Sequence, residues 1–434
     1  MNQRRIWIGL LAVCFAMIYL GSIYWLAARK SIHNRIVVNV TPHHADWVYH
    51  LGDTVKFIVT VKSNRVLFKN IEINYAYGPE MMPPVKNGKQ QIKNGQTVID
   101  AGTMTEAGFL RCHVYVSHKG KNYKGTATAA FSPETIQPTT TMPDDFTQFW
   151  DNALSELASI PLDAQFSLLP ERCTDKVNVY HVNFQNIQRY SVYGILCVPN
   201  VPGSYPAILI LPHGGVPPIH GDVTHAEKGV ITLEIGIHGI PANMNSKVYS
   251  EMEKGSLFEY WKFNLDDKDR YYYKRVYTSC VRAVDFIFSL PDFDGANMIA
   301  YGESQGGALA IVTAALDSRI KGLVSFYPAL CDMTGYLNGR AGGGLPVLNE
   351  PEHISPAKIE TSRYYDVVNF ARQMKIPGFY TWGFNDELCP PTSMYAAYNV
   401  IQAPRTLYVV KENGHWFNSE QSEKATEWIF NMFK

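Results

Sequence analysis

The run Gly302-Glu303-Ser304-Gln305-Gly306-Gly307 constrains this chain more than any other stretch. It follows a short apolar segment, Met298-Ile299-Ala300-Tyr301, and leads into the small-residue segment Ala308-Leu309-Ala310-Ile311-Val312. Strand, Gly-x-Ser-x-Gly and helix in that order make a sharp turn that lifts one hydroxyl above the carboxyl edge of a parallel sheet. The glycines relieve crowding around an apex serine held in a strained conformation. Taken alone, the pattern also fits an ordinary glycine-rich turn. The order of strand and helix around it, and the residues downstream, favour a reactive serine.

A serine hydroxyl is a poor nucleophile near neutral pH, so it needs a base, and the base needs an orienting group. In α/β-hydrolases these follow in the order serine, acid, histidine, on loops after later strands. The apolar run 376–382 reads as a buried strand with Gly383-Phe384-Asn385-Asp386 at its carboxyl end. The next strand-like run, 406–410, leads through Lys411-Glu412-Asn413 into Gly414-His415-Trp416. Asp386 and His415 are therefore the expected acid and base for Ser304. Singly, each reads as a surface turn residue; in this order they form a set.

The set also needs donors for a developing oxyanion. The strand-like run 207–211 ends in Pro212-His213-Gly214-Gly215, where bare backbone can turn an N–H toward negative charge. The expected donors are the N–H of Gly215 and the N–H of Gln305, the latter aided by the helix dipole. His213-Gly214-Gly215 fits a plain strand-ending turn equally well.

From about Asp144 onward the chain resembles the acetyl xylan esterase and cephalosporin C deacetylase family, carbohydrate esterase family seven. The resemblance is carried by Tyr271-Tyr272-Tyr273-Lys274-Arg275-Val276-Tyr277, Ser304-Gln305-Gly306-Gly307, Tyr327-Pro328-Ala329-Leu330-Cys331-Asp332 and Asp386-Glu387-Leu388-Cys389-Pro390-Pro391-Thr392-Ser393. The stretch Tyr364-Tyr365-Asp366-Val367-Val368-Asn369-Phe370-Ala371 precedes the last of these much as in the family. The resemblance implies a serine esterase that removes O-acetyl groups from small acetylated carbohydrates such as xylo-oligosaccharides. Ser304 falls on the nucleophile, Asp386 on the acid, His415 on the base, and Gly215 on an oxyanion position where the family commonly has Tyr.

Two signatures depart from the family. Its Arg-Gly-Gln is expected after the run 230–234, but the chain reads His238-Gly239-Ile240, without guanidinium or amide. Its His-Glu near the carboxyl terminus is His415-Trp416 here. These changes bear on bracing of the loops, on the family's ring-shaped hexamer and on substrate preference. Two other readings stand beside deacetylation. One is hydrolysis of another ester, a lactone or a peptide; the other is a non-catalytic, membrane-tethered carbohydrate-binding protein.

The chain is 434 residues long, more than one typical domain holds. Its 39 Lys and Arg balance 39 Asp and Glu without basic blocks, which argues against a nucleic-acid surface. Asn2-Gln3-Arg4-Arg5 leads into an uncharged stretch, residues 6–28, long enough for a ~30 Å hydrocarbon core at ~1.5 Å per residue. Residues 1–30 are thus expected to be an N-terminal apolar helix acting as signal-anchor, or a long cleavable signal peptide. Either places the catalytic part outside the cytoplasm, membrane-anchored or secreted. Six cysteines follow that stretch: Cys112, Cys173, Cys197, Cys280, Cys331 and Cys389. Isolated buried thiols are expected rather than disulfides. No Cys-x-x-Cys or His-Glu-x-x-His occurs, so no cofactor or metal is expected, although His213, His220, His225 and His238 gather near the predicted mouth.

Residues 36–132 alternate with period two, as in Val55, Phe57, Val59 and Val61, in Ile71, Ile73, Tyr75 and Tyr77, and in Leu110, Cys112, Val114 and Val116. They are expected to form an all-β immunoglobulin-like sandwich, serving as spacer or packing partner more than as a carbohydrate-binding module. Residues 133–143 read as an extended linker. Residues 144–434 are expected to form an α/β-hydrolase with a mainly parallel sheet. It opens with an amphipathic helix whose face carries Phe146, Phe149, Trp150, Leu154 and Leu157. A homo-oligomer is left open.

Overall fold

The computed structural model describes residues 36–345, 347–350 and 354–434. The apolar segment 6–28 lies outside them, and among the described residues no helix is long and apolar enough to cross a membrane.

Among the described residues, the alternating valines and aromatics of the N-terminal third form nine strands. All pair antiparallel except Val48–Tyr49, which runs parallel beside Lys121–Phe131. The ladder narrows to a single pair, Lys93 opposite Gln96, between Lys86–Lys93 and Gln96–Gly102. The strands on either side of that pinch fold face to face. Gly125 of Lys121–Phe131 approaches Ile36–Pro42 so closely that an added Cβ would sit 2.5 Å from the Val38 carbonyl oxygen. Val55, Phe57, Val59, Val61, Cys112, Val114 and Val116 all point into the space between the layers and are fully buried. That is the period-two pattern at work.

A second nine-stranded sheet organises the rest. Gln165–Leu168, Val177–Gln185, Ser191–Pro199 and Ile231–Gly236 pair antiparallel in turn. Beyond them, Tyr205–Leu211, Phe293–Glu303, Gly322–Phe326, Gly378–Trp382 and Arg405–Val409 follow as parallel neighbours. Gly378–Trp382 is buried at every residue, as expected for a strand covered on both faces. Helices Phe146–Ala158, Tyr272–Phe288, Gln305–Leu316 and Ser419–Met432 pack around this sheet. Strand order reverses at Tyr205–Leu211, whose neighbours are Ile231–Gly236 on one side and Phe293–Glu303 on the other. Open sheets of this kind hold ligands in the crevice at such a reversal, beyond the carboxyl ends of the strands.

The stretch 133–143, expected as an extended linker, opens with a 3-10 turn at Pro133–Thr135 and continues as irregular backbone, and it does not behave as a free linker. Thr139 and Thr140 donate their backbone N–H groups to the Asp332 carboxylate at 2.7 and 3.0 Å, and the Thr139 hydroxyl adds a third bond at 2.8 Å. Asn399 holds the carbonyls of Pro133 and Ile136 at 2.9 and 3.0 Å. Composition marked the stretch as irregular backbone; only tertiary contacts show it strapped to the hydrolase. All six cysteines among the described residues are free thiols, five of them buried.

The elbow depends on two close approaches. A Cβ on Gly302 would lie 2.3 Å from the Gly306 carbonyl, and one on Gly306 would lie 2.2 Å from the Leu211 carbonyl oxygen. Both obstacles are backbone and cannot rotate away. Gly306→Ala is therefore expected to lower unfolding stability by about 1–3 kcal/mol, measured by urea denaturation, because the strand ends must part to admit the methyl group.

Candidate active site

Ser304 stands between Phe293–Glu303 and Gln305–Leu316 with φ 56° and ψ −120°. That conformation is unfavourable for a residue with a Cβ, and persists because both sides of the residue are fixed. The Ser304 N–H donates to the Phe326 carbonyl at 2.9 Å, and the Ser304 carbonyl accepts from the Ala308 and Ala329 N–H groups at 3.1 and 3.0 Å.

Asp386 and His415 come from the loops after Gly378–Trp382 and Arg405–Val409. These loops run side by side: Phe384 N–H donates to Lys411 O at 3.2 Å and Asn385 N–H to Asn413 O at 3.0 Å. Gly383 permits this approach, since a Cβ there would lie 2.0 Å from the Asn413 oxygen. His415 Nδ1 is 2.8 Å from Asp386 Oδ2, and His415 Nε2 is 3.0 Å from Ser304 Oγ. Asp386 is fully buried, and its other oxygen accepts N–H bonds from Leu388 and Cys389, each at 2.8 Å. A carboxylate held this way accepts the Nδ1 proton and leaves Nε2 as an acceptor facing the serine hydroxyl. The Tyr327 ring packs 4.6 Å from the imidazole, and its hydroxyl donates to Glu303. The structure thus brings together the three side chains that lie far apart in the sequence.

The two expected oxyanion donors differ. Gln305 opens its helix, where an N–H has no carbonyl partner one turn earlier. Gly215, with φ 91°, is already paired: its N–H donates to Tyr260 Oη at 3.3 Å. The long distance makes this a weak bond. On the other side, the Gly215 carbonyl accepts from His238 Nε2 at 2.9 Å, and Tyr272 Oη donates to His238 Nδ1 at 2.6 Å. Burial pushes His238 down to about 4, against the pull of the Gly215 carbonyl, so the ring is neutral at working pH. The loss of Arg-Gly-Gln therefore does not leave the loop unbraced. His238, the first residue of the divergent segment, holds it.

Sequence reasoning valued Gln305 for its backbone and missed its side chain. Gln305 Oε1 accepts from the hydroxyls of Tyr260 and Tyr273, both at 2.6 Å. Its Nε2 donates to the carbonyls of Pro212 and His213 at 3.3 and 3.2 Å. All four hydrogen-bonding sites of the amide are used, which fixes the loop after Tyr205–Leu211 against the elbow. The run of three tyrosines was visible, but nothing local indicates which ring reaches Gln305.

Ser304 and His415 face a cavity of about 720 Å³, within the range of small-molecule sites. Trp261, Leu345, Leu388 and Cys389 supply apolar wall, and Glu253 and Glu303 bring carboxyl groups; among the described residues no Lys or Arg lines it. The histidines near the mouth serve separate tasks. His213 turns onto the neighbouring Gly214 carbonyl and His225 pairs with Asp222. Among the described residues no group of three or more His, Cys, Asp or Glu could hold a metal ion.

An oriented serine over the carboxyl edge of a parallel sheet, with a histidine and a buried carboxylate behind it, defines an α/β-hydrolase of the ester-cleaving kind. Residues 133–432 match the acetyl xylan esterase (AXE1) family, and the chain belongs to that family. It is 40% identical over 402 residues to the acetyl esterase Axe7A of Xylanibacter ruminicola, covering 91% of this chain and 90% of that protein. Among solved structures, the acetyl xylan esterase from Paenibacillus sp. R4 superimposes with a TM-score of 0.60 at 27% identity, covering 69% of this chain and 98% of that one. Acetyl xylan esterase 1 from Thermoanaerobacterium sp. JW/SL YS485 shares the fold with a TM-score of 0.59 at 21% identity, over 70% of this chain and 98% of that one. The enzyme is thus a carboxylic ester hydrolase, which displaces the non-catalytic reading.

A pH prediction follows from His238. Its folded-state value lies below its unfolded one, so between pH 6.5 and about 4 the unfolded chain binds the proton first. The stability it contributes is fully present above pH 6.5 and is lost as pH falls toward 4. His238→Gln, whose amide N–H can take the place of Nε2 toward Gly215 without titrating, is expected to flatten that part of the curve, measured by urea unfolding at stepped pH.

Proposed function

We propose that the enzyme removes O-acetyl groups from small acetylated carbohydrates, xylo-oligosaccharides among them, through an acetyl-enzyme formed on Ser304. The observation that carries this reading is the unbroken series Ser304, His415, Asp386, in which Ser304 and His415 line the cavity and Asp386 is buried behind the imidazole. His415 takes the Ser304 proton as Oγ attacks the acetyl carbonyl, while Asp386 holds the tautomer and stabilises the imidazolium. The sugar oxygen leaves with that proton. Water, deprotonated by the same imidazole, then releases acetate. The Gln305 N–H and the Gly215 N–H receive the oxyanion, the latter exchanging its long bond to Tyr260 for a charged acceptor.

Two features support a short acyl group on an uncharged sugar. Ala329, Gly344 and Cys389 crowd the wall beside Ser304, and a Cβ on Gly344 would come within 2.9 Å of Cys389 Sγ. The carboxyl groups of Glu253 and Glu303 can accept bonds from sugar hydroxyls but repel a uronate. For residues 36–132 the immunoglobulin-type assignment rests on strand alternation, antiparallel pairing and two facing layers. For residues 6–28 a membrane anchor that places the enzyme outside the cytoplasm rests on length and lack of charge.

Ser304→Ala is expected to abolish hydrolysis of 4-nitrophenyl acetate, by at least ~10³-fold, with thermal unfolding nearly unchanged. Turnover equal to the parent would end the proposal. With 4-nitrophenyl esters of rising acyl length, kcat/KM is expected to fall steeply from acetate to butyrate. A flat profile would instead favour the broader esterase reading.

A further inference from the structure

The N-terminal β-domain reaches the acid loop through one buried guanidinium. Arg111, on strand Gly108–His118, is 3% exposed. Its Nη2 donates to the backbone carbonyls of Asp386 at 2.7 Å and Phe384 at 3.0 Å. The same nitrogen lies 3.2 Å from Glu80 Oε2, and Glu80 is 2% exposed. Arg111 Nε donates to Thr128 Oγ1 at 2.9 Å, and that hydroxyl donates to Asn385 Oδ1 at 3.0 Å. Asn385 Nδ2 passes the connection to the Glu412 carbonyl at 3.1 Å, three residues before His415. Glu80 Oε1 meanwhile accepts the Thr392 N–H at 2.7 Å, at the start of helix Pro391–Asn399.

The acid loop is therefore held at both ends from a different domain. Carbonyls at 384 and 386 bind Arg111, and the helix that follows the loop is capped by Glu80. Apolar packing closes the joint, with Phe109 set 5.2 Å from Phe384 and 5.7 Å from Tyr395, centroid to centroid. We propose that Arg111 is a positioning residue for the hydrolytic reaction, and that the β-domain aligns the Asp386 carboxylate with His415 instead of acting as a spacer. The proposal rests on the catalytic reading above and adds a part of the chain which that reading does not use.

A guanidinium suits the task. Its fixed fork sets Nε on Thr128 while Nη2 reaches the two carbonyls and Glu80, whereas an ammonium is a single point of charge. The cost of the arrangement shows in Glu80, which burial raises to about 7 despite its partner. Removing Arg111 alone would strand that carboxyl group, so the decisive variant removes charge from both sides. The outer pair Lys124–Glu387, exposed on the same seam, provides the control.

In the full chain, Arg111→Met combined with Glu80→Gln is expected to lower kcat for 4-nitrophenyl acetate about 10- to 100-fold, as a displaced catalytic group would. KM should stay within about threefold, since binding contacts in the cavity are untouched. Labelling of Ser304 by a fluorophosphonate should slow in parallel. The acid limb of the kcat–pH profile should move to lower pH, because an imidazolium with a misaligned carboxylate gives up its proton more readily. Arg111→Lys should fall between parent and double variant, and Lys124→Ala should match the parent. A folded double variant with parental kcat, labelling rate and pH profile would overturn the proposal. So would activity lost only in proportion to the unfolded fraction, in the double variant and in Arg111→Lys alike. A parental enzyme inert to the fluorophosphonate would instead sink the catalytic reading itself.

Discussion

The site depends on how closely three parallel strand ends can approach one another. Gly306 lies against the Leu211 carbonyl and Gly307 against the Phe326 carbonyl, at distances where an added Cβ would fall 2.2 and 2.6 Å from the oxygens. Tyr205–Leu211, Phe293–Glu303 and Gly322–Phe326 therefore deliver their loops to one point. Ser304 has nowhere to relax, because its N–H and carbonyl are tied to the same neighbours. The strained φ follows from that crowding, and the exposed hydroxyl follows from the strained φ.

Around that point the polar groups are spent on fixing loops. Gln305 satisfies two phenols and two carbonyls, and His238 ties Gly215 to Tyr272. Such networks are expensive to bury when incomplete and rigid when complete. Completeness is what the reaction requires, since donors aimed at a developing oxyanion act best when they need not reorganise. His238 does its part only as a neutral ring, which burial ensures.

The β-domain adds to this from outside the hydrolase fold. The two solved esterases are covered over 98% of their own length by about seven-tenths of this chain, so a large share of it has no counterpart in them. The 402 residues aligned with the Xylanibacter ruminicola enzyme exceed the span 133–432, so that likeness runs into the β-domain. One core includes Phe109 of the β-domain and Phe384 beside the acid. A joint of this kind makes the domain part of the catalytic frame.

By itself the sequence determined what is local. Strand periodicity, the elbow and the order serine, acid, histidine all follow from neighbouring residue types. The runs read at 207–211, 376–382 and 406–410 fall within a residue or two of Tyr205–Leu211, Gly378–Trp382 and Arg405–Val409. Strands such as Lys86–Lys93 were not legible, because only Ile92 of that element is buried and the alternation has almost no apolar signal. Tertiary structure alone decided which polar groups meet. Gly215 turned its N–H to Tyr260, and Arg111, on what alternation makes the outer face of its strand, was covered by a loop some 275 positions away. A hydrogen bond between distant residues leaves no periodic trace in either segment; its partners are set only when packing brings the elements into contact.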